Sequence, residues 1–190
     1  MKRLTILDRL HISLFAALTA VGAFIKIPFY PVPFTLQFLF CAYAGMLLGA
    51  RKGLYAQLLY VGIGLVGIPI FANGGGISYV FQPTFGFLIG FVLAAFVIGV
   101  LMGRNKQVSP LKKYMVVLTG LGIVYLCGIP YLYFMYNHVS QGDISWFVAI
   151  QWGFLPYIIP DMCLSLMVVL TSNHILPILY RERKIESKVS

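Results

Sequence analysis

The sequence has little charge of either sign, which argues against an ordinary soluble protein. Only 10% of its 190 residues are charged and 60% are hydrophobic, whereas soluble domains carry about 25% charged residues. A soluble chain of this size needs a large polar surface, because its surface-to-volume ratio is high. Five acidic and fourteen basic residues are too few to cover that surface. The composition therefore predicts an integral membrane protein.

Acidic residues and catalytic motifs are scarce as well. The sequence contains no G-x-x-x-x-G-K-[ST] phosphate-binding loop, no H-E-x-x-H motif and no paired carboxylates. ATP hydrolysis through such a loop is thus excluded, and we expect no enzyme. A small intramembrane enzyme, with Asp161 and His138 as its best catalytic pair, is an alternative of another class. A purely structural subunit that binds no small molecule is a third.

Cysteine and histidine give no sign of a metal or redox site. The three cysteines lie inside apolar runs without a C-x-x-C pair, and the three histidines lie far apart. We interpret the cysteines as packing residues and predict no metal site and no cofactor bound by this chain.

The basic residues decide against a nucleic-acid-binding protein. All but Lys26 fall in short clusters at the chain ends or between apolar runs. This arrangement is typical of juxtamembrane anchors. The clustered residues are Lys2, Arg3, Arg9, Arg51, Lys52, Arg104, Lys106, Lys112, Lys113, Arg181, Arg183, Lys184 and Lys188.

The apolar runs predict six transmembrane helices in a single domain, residues 1–190. A spanning helix needs about 20 mostly apolar residues. The predicted spans cover roughly 10–28, 35–50, 53–71, 83–103, 113–136 and 151–180, the last interrupted by Pro156 and Pro160. Six spans bring every basic cluster to one side, which is cytoplasmic by the positive-inside tendency, together with both termini. The loops 28–36, 72–83 and 137–150 then face outward.

A glycine-rich, uncharged stretch interrupts the apolar sequence at residues 67–86, "GIPIFANGGGISYVFQPTFG". Non-helical backbone near a membrane is tolerated where it is buried in protein or lines a cavity. Asn73 and Gln82 offer amide donors and acceptors, and Gly74 and Gly75 allow a ligand to approach the backbone N–H groups closely. We therefore predict a pocket lining here; the alternative is a flexible outer turn.

Two further outer segments supply polar and aromatic side chains. The segment 29–38 contains Phe34, Thr35 and Gln37, and the segment 145–161 contains Trp152 and Asp161. Small-molecule sites are mostly apolar or aromatic with a few orienting polar groups. With Tyr79, these residues complete the predicted ligand-binding set, and the segments 29–38 and 71–79 are candidate lids.

Two charged residues lie at predicted membrane depth. A carboxylate such as Asp161 is costly there unless it is paired or faces a cavity, so it could accept ligand N–H groups or simply reach water at the interface. Lys26 could extend its amine to water, pair with Asp161 or contact an anionic ligand group.

The first predicted span has small residues four apart, namely Ala16 and Ala20, and likewise Thr19 and Ala23. Such spacing lets another helix approach closely. The approaching helix could belong to a partner protein, which would make these alanines a docking surface, or to the same chain.

Several motifs together resemble one family. They read "PVPFTLQ" at 31–37, "GARKG" at 49–53, "GLVGIPIFANGGG" at 64–76, "PTFGFLIGF" at 83–91 and "PD" at 160–161. The chain resembles the BioY family, the biotin-specific substrate-binding (S) components of energy-coupling factor (ECF) transporters. The resemblance implies a six-helix S component in a bacterial or archaeal cell membrane. Such a component captures biotin from outside through the first, third and fifth loops of the chain, which are the outer ones. The resemblance also implies partners: a transmembrane T component and two cytosolic ATPases that use ATP.

One position departs from the family's pattern. The family usually carries a lysine one helical turn after the acidic residue, where this chain has Leu164. We expect Asp161 to accept from the two ureido N–H donors of biotin, and Asn73 or a glycine N–H to donate to the ureido carbonyl. Because of Leu164, a biotin precursor or another vitamin is the alternative ligand.

Overall fold

The computed structural model of the protein describes residues 4–103, 108–140 and 142–189, with the side chains of the last helix given as far as Leu176. The chain is mostly helical, as predicted. Its helices are α1 (Ile6–Phe24), α2 (Gln37–Tyr43), α3 (Ala50–Leu65), α4 (Phe85–Met102), α5 (Pro110–His138), α6 (Trp146–Gly153) and α7 (Ile158–Val189). A π-helical turn (Ala44–Leu48) extends α2, and a 3-10 helix (Ile77–Phe81) precedes α4.

Helix starts follow the local sequence. Thr5 caps α1 by accepting from the Asp8 backbone N–H, and Asp8 accepts in return from the Thr5 N–H, which forms a capping box. Ser109 caps α5, and Pro110 at the first helical position loses no intrahelical hydrogen bond there.

The first helix ends earlier than predicted. After Phe24 the chain turns into a short antiparallel hairpin of β1 (Lys26–Ile27) and β2 (Phe34–Thr35), in which Lys26 pairs with Thr35. The expected continuation of the helix to residue 28 is wrong, because backbone pairing in the hairpin replaces it. Lys26 therefore lies in the hairpin, outside the helix.

The last predicted span is also divided differently. The short helix α6 ends at Gly153, and α7 begins at Ile158 after a turn that contains Pro156. Pro160 is accommodated in the first turn of α7, where backbone N–H groups have no partner within the helix. Asp161 is thereby placed in that same first turn.

Within the described ranges, four helical segments are long and apolar enough to cross a membrane: α1, α4, α5 and the Ile158–Leu176 part of α7. The apolar segment Gln37–Leu48 is shorter, and α3 has only 16 residues. The prediction of a helical membrane protein is therefore confirmed at this coarser level. The count of six spans and the side of the termini stay predictions.

An ion pair between Lys52 and Asp8 joins the start of α3 to the start of α1, so both lie at one end of the bundle. Of the predicted basic clusters, Lys2, Arg3, Arg104 and Lys106 lie outside the described residues. The side chains of Arg181, Arg183, Lys184 and Lys188 do so too.

The small residues of α1 pack inside the chain. Ala16 is 4% exposed and Ala23 is fully buried, and Ala20 packs against the core. Between Ala16 and Ala23, Thr19 accepts a hydrogen bond from Gln57 Nε2 of α3 at 3.1 Å. A docking role for Ala16 and Ala23 is therefore wrong for this conformation, because the chain's own helices cover them.

Glycines permit the closest helix approaches. A Cβ atom at Gly99 of α4 would lie 2.1 Å from the backbone nitrogen of Ala50 at the start of α3. A Cβ at Gly90 would lie 2.8 Å from the Val124 Cα of α5. Because backbone atoms are the obstacles, no side-chain rotation would relieve these clashes.

We predict that Gly99→Ala lowers the free energy of unfolding by roughly 1–3 kcal/mol, the usual cost of overpacking. Thermal unfolding in detergent would measure this loss. Gly122→Ala in α5 is the matched control, because no atom lies within 4 Å of its added Cβ. Equal melting temperatures for the two variants would contradict the packing argument.

Candidate functional site

An inner pocket lies where the three predicted outer segments meet the helices. The hairpin region, the loop 66–84 and the turn before α7 form its upper wall, and α4 and α5 form the rest. The lining residues are Val32, Pro33, Phe34, Thr35, Gln37, Phe38, Ala72, Tyr79, Thr84, Phe87, Leu88, Phe91, Val124, Tyr125, Tyr157 and Asp161. The lining is thus mainly apolar and aromatic, as is typical of small-molecule sites.

Asp161 is the charged residue of this lining. It is only 8% exposed, and its Oδ2 accepts a hydrogen bond from the Tyr125 hydroxyl at 2.6 Å. The first turn of α7 also favours a negative charge, because the helix dipole is positive there. Among the described residues, Tyr125 is the one hydrogen-bond donor to this carboxylate. Its other oxygen can therefore accept from a ligand.

A chain of hydrogen bonds fixes the hairpin end of the pocket. Thr35 Oγ1 donates to Gln37 Oε1 at 2.9 Å, and Gln37 Nε2 donates to the Tyr60 hydroxyl at 2.8 Å. The Tyr60 hydroxyl in turn donates to the Ile70 carbonyl at 3.1 Å. This series of hydrogen bonds connects β2 through α2 and α3 to the loop 66–84. The polar groups of Thr35 and Gln37 are therefore held in place before any ligand arrives.

The hydroxyls of Tyr79 and Thr84 form a second polar point, 3.1 Å apart. Burial raises the pKa of Tyr79, so its hydroxyl keeps its proton. Each hydroxyl has one proton, and the hydrogen bond between the two hydroxyls takes only one of these protons. The other proton can be donated to an acceptor on a ligand.

The glycine-rich loop is folded on itself and anchored by Phe71. The Phe71 ring is 1% exposed and fits against Gly64, where a Cβ would lie 2.1 Å from the ring. Gly74 exchanges backbone hydrogen bonds with Phe71 and has a φ of 113°. A Cβ at Gly75 would lie 2.3 Å from the Ile68 carbonyl oxygen. Gly74 and Gly75 therefore shape the loop and do not line the pocket, contrary to prediction.

Tyr157 closes the pocket at the turn before α7. Its hydroxyl donates to the Val32 carbonyl of the hairpin region. Its ring stacks on Phe34, with the planes 8° apart, and meets the edge of Phe29. The turn and the hairpin therefore form one continuous wall.

An outer cavity lies above this wall and is more polar. Its lining residues are Lys26, Pro28, Phe29, Tyr30, Pro31, Pro33, Asn73, Gln82, Pro83, Tyr136 and Ser140. Pro33 lines both cavities. Lys26 Nζ donates to the carbonyl of Ala72, at 2.5 Å, and Ala72 lines the inner pocket.

The predicted site residues thus separate into groups. Phe34, Thr35, Gln37, Tyr79 and Asp161 line the inner pocket, whereas Lys26, Asn73 and Gln82 line the outer cavity. Trp152 lines neither and packs with its edge against Tyr136.

Sequence reasoning missed Tyr125, which lies in the apolar run of α5. Its hydroxyl was the available signal, because a polar group in a membrane helix needs a partner.

Two proposed pairings of Asp161 are absent among the described residues. Asp161 pairs with Tyr125, and Lys26 with a backbone carbonyl, so these two charges do not meet. The His138 ring stacks on Phe134 at the end of α5 and is not part of the pocket lining. No group of three potential metal ligands occurs in the described part of the chain.

Fold and pocket together define a helical membrane protein with a small-molecule site beneath its loops. The chain belongs to the BioY family, whose model matches residues 1–181. It is 47% identical to the "probable biotin transporter BioY" of Lysinibacillus sphaericus, over 98% of this chain and 95% of that protein. It is 39% identical to the "biotin transporter BioY" of Thermotoga maritima, over 79% of this chain and 84% of that protein.

A solved structure has a similar fold. It is the crystal structure of the S-component for biotin from an ECF-type ABC transporter, with a TM-score of 0.77 and 24% identity. The match covers 94% of this chain and 92% of the other. At this identity the likeness establishes the fold.

We predict that Tyr125→Phe lowers the free energy of unfolding by roughly 1–3 kcal/mol, because it leaves a buried carboxylate without its donor. In Asp161→Asn the charge is gone, so adding Tyr125→Phe should cost less. A double-mutant cycle of melting temperatures in detergent measures this coupling. Tyr114→Phe is the control, because its hydroxyl has no hydrogen-bond partner among the described residues. Additive effects of the two substitutions would contradict the pairing.

Proposed function

We propose that this chain captures biotin from outside the cell and serves in its uptake as the S component of an ECF-type ABC transporter. The observation that carries the proposal is the buried Asp161 carboxylate, which faces a pocket of mainly apolar and aromatic side chains. The names of the relatives, biotin transporters, support the same ligand. As a member of a family of transporters, the chain is a transport component and not an enzyme.

The groups of biotin match the polar points of the inner pocket. Its ureido group has two N–H donors and one carbonyl acceptor, and its fused rings are compact and partly apolar. The free oxygen of Asp161 accepts from a ureido N–H. The spare proton of the Tyr79 and Thr84 hydroxyls is donated to the ureido carbonyl. Phe91 and Leu88 of α4 supply apolar contact with the rings.

This assignment replaces one sequence-based expectation. The sequence predicts Asn73 or a glycine N–H as the donor to the ureido carbonyl, but Asn73 lines the outer cavity, and no glycine among the described residues lines the pocket that contains Asp161. The Tyr79 and Thr84 hydroxyls are the better donors, because both line that pocket.

Two kinds of contact contribute to the affinity. A hydrogen bond to a charged group contributes roughly 1.5–3 kcal/mol, and burial of apolar surface contributes about 25 cal/mol per Å². Because nanomolar affinity needs about 12 kcal/mol in total, the bond to Asp161 supplies a minor part, and apolar contacts and further hydrogen bonds supply most of it.

The wider assembly follows from the same assignment. The chain functions as a single domain with six membrane segments and both termini in the cytoplasm of a bacterial or archaeal cell. The sequence lacks a phosphate-binding loop. As an S component of an ECF-type transporter, the chain works with a transmembrane T component and two cytosolic ATPases, which use the ATP, and it binds no cofactor itself.

Leu164 favours a second candidate, an S component for a biotin precursor or another vitamin. Leu164 follows Asp161 by one helical turn and packs partly buried against the core. It offers no cation there for an anionic part of the ligand.

We predict that the purified chain alone binds biotin with nanomolar affinity by calorimetry, and that Asp161→Asn weakens binding by roughly ten- to a hundredfold. Asp143→Asn, in an exposed loop, is the control and should bind as the parent does. Dethiobiotin, thiamine and riboflavin serve as comparators. Tighter binding of a comparator would move the assignment to the second candidate, and unchanged binding by Asp161→Asn would overturn the role of the carboxylate.

The proposed orientation is tested separately by cysteine labelling in a variant that lacks Cys41, Cys127 and Cys163. We expect Asp143→Cys to react with a membrane-impermeant maleimide on intact cells. Lys112→Cys, at the other end of α5, should react only after permeabilisation. The reverse pattern would place the termini outside.

A further inference from the structure

The outer cavity holds Lys26, the basic residue that stands apart from every basic cluster of the sequence. Its ammonium group is exposed and donates to a neutral acceptor, the Ala72 carbonyl. No carboxylate lines this cavity among the described residues. An ammonium group has three donors, and this contact uses one of them. The remaining donors therefore lack an anionic partner.

The other polar groups around Lys26 can also donate. Asn73 and Gln82 contribute side-chain amides, and Tyr30, Tyr136 and Ser140 contribute hydroxyls. The two tyrosine hydroxyls lie 3.5 Å apart, one on the hairpin loop and one on α5. A cationic centre surrounded by neutral donors is suited to an anion with several acceptor oxygens, such as a carboxylate.

The outer cavity also adjoins the inner pocket. Pro33 lines both, and the Ala72 carbonyl that Lys26 holds belongs to a residue of the inner lining. A ligand whose head group binds Asp161 and whose flexible chain passes Pro33 would bring a terminal group to Lys26. Biotin has this form, because its fused rings carry a flexible chain that ends in a free carboxylate.

We propose that the outer cavity is a carboxylate subsite, in which Lys26 binds the acid end of the ligand and Asn73 and Gln82 donate to the same group. The assignment rests on the proposed function and adds a basis for specificity. The inner pocket selects the ring system, and the outer cavity selects free acids over neutral amides and esters. Lys26, which lies outside α7, thereby supplies the cation for the acid end of the ligand that Leu164 cannot supply.

The test compares biotin with its primary amide, which has the same rings and chain but no charge. By calorimetry, the parent protein should bind the acid roughly ten- to a hundredfold more tightly than the amide, since the lost contact is charge-assisted. Lys26→Met should bind both at the affinity that the parent has for the amide. Lys26→Arg keeps the charge and should keep much of the preference.

Lys112→Met is the matched control. It removes an exposed lysine near the start of α5, about 36 Å along the helix from Tyr136 at 1.5 Å per residue. It should keep the full preference for the acid.

Three results would overturn the subsite while leaving biotin capture intact. They are equal binding of acid and amide by the parent, an unchanged affinity for both ligands in Lys26→Met, and an equal loss of affinity for both ligands in Lys26→Met. The last result would mean that Lys26 only holds the Ala72 loop. Failure of the folded parent to bind either ligand would instead overturn the proposed function, and the subsite with it.

Discussion

The burial of the Asp161 carboxylate is the constraint on which the site depends. A charged group in an apolar bundle is stable only with hydrogen-bond partners or access to a polar cavity. Tyr125 supplies the partner from α5, and the first turn of α7 supplies a favourable dipole. The same contact joins α5 to α7. A single hydrogen bond therefore holds the polar centre of the pocket and links two long helices.

The loops above this centre form a wall because their polar groups are satisfied internally. Hydrogen bonds connect Thr35, Gln37 and Tyr60 to the loop 66–84. Phe71 anchors that loop by occupying the space beside Gly64. The glycine-rich stretch is therefore a compact structure whose glycines admit close contacts and positive φ angles. The spare hydroxyl proton of the Tyr79 and Thr84 pair remains available to a ligand.

Much of the site could be predicted from residue chemistry. The scarcity of charge indicated a membrane protein, and three outer segments with polar and aromatic side chains indicated a pocket. Phe34, Thr35, Gln37, Tyr79 and Asp161 do line it. The predictions for Ala16, Gly74 and Gly75 failed for a common reason. A small residue permits close approach, but its type alone does not say whether a ligand, a partner or the chain itself approaches.

The sequence by itself determined that this protein lies in a lipid environment, where its main apolar helices are, and which residue types form its site. These properties depend on composition and local pattern, which a linear sequence contains. Only the tertiary structure decided that Tyr125 is the partner of Asp161 and that Lys26 and Asn73 belong to a separate outer cavity. Those relations join residues far apart in the chain, and they depend on where the helix ends and how the loops fold. No local pattern specifies such distances, because they result from packing across the whole bundle.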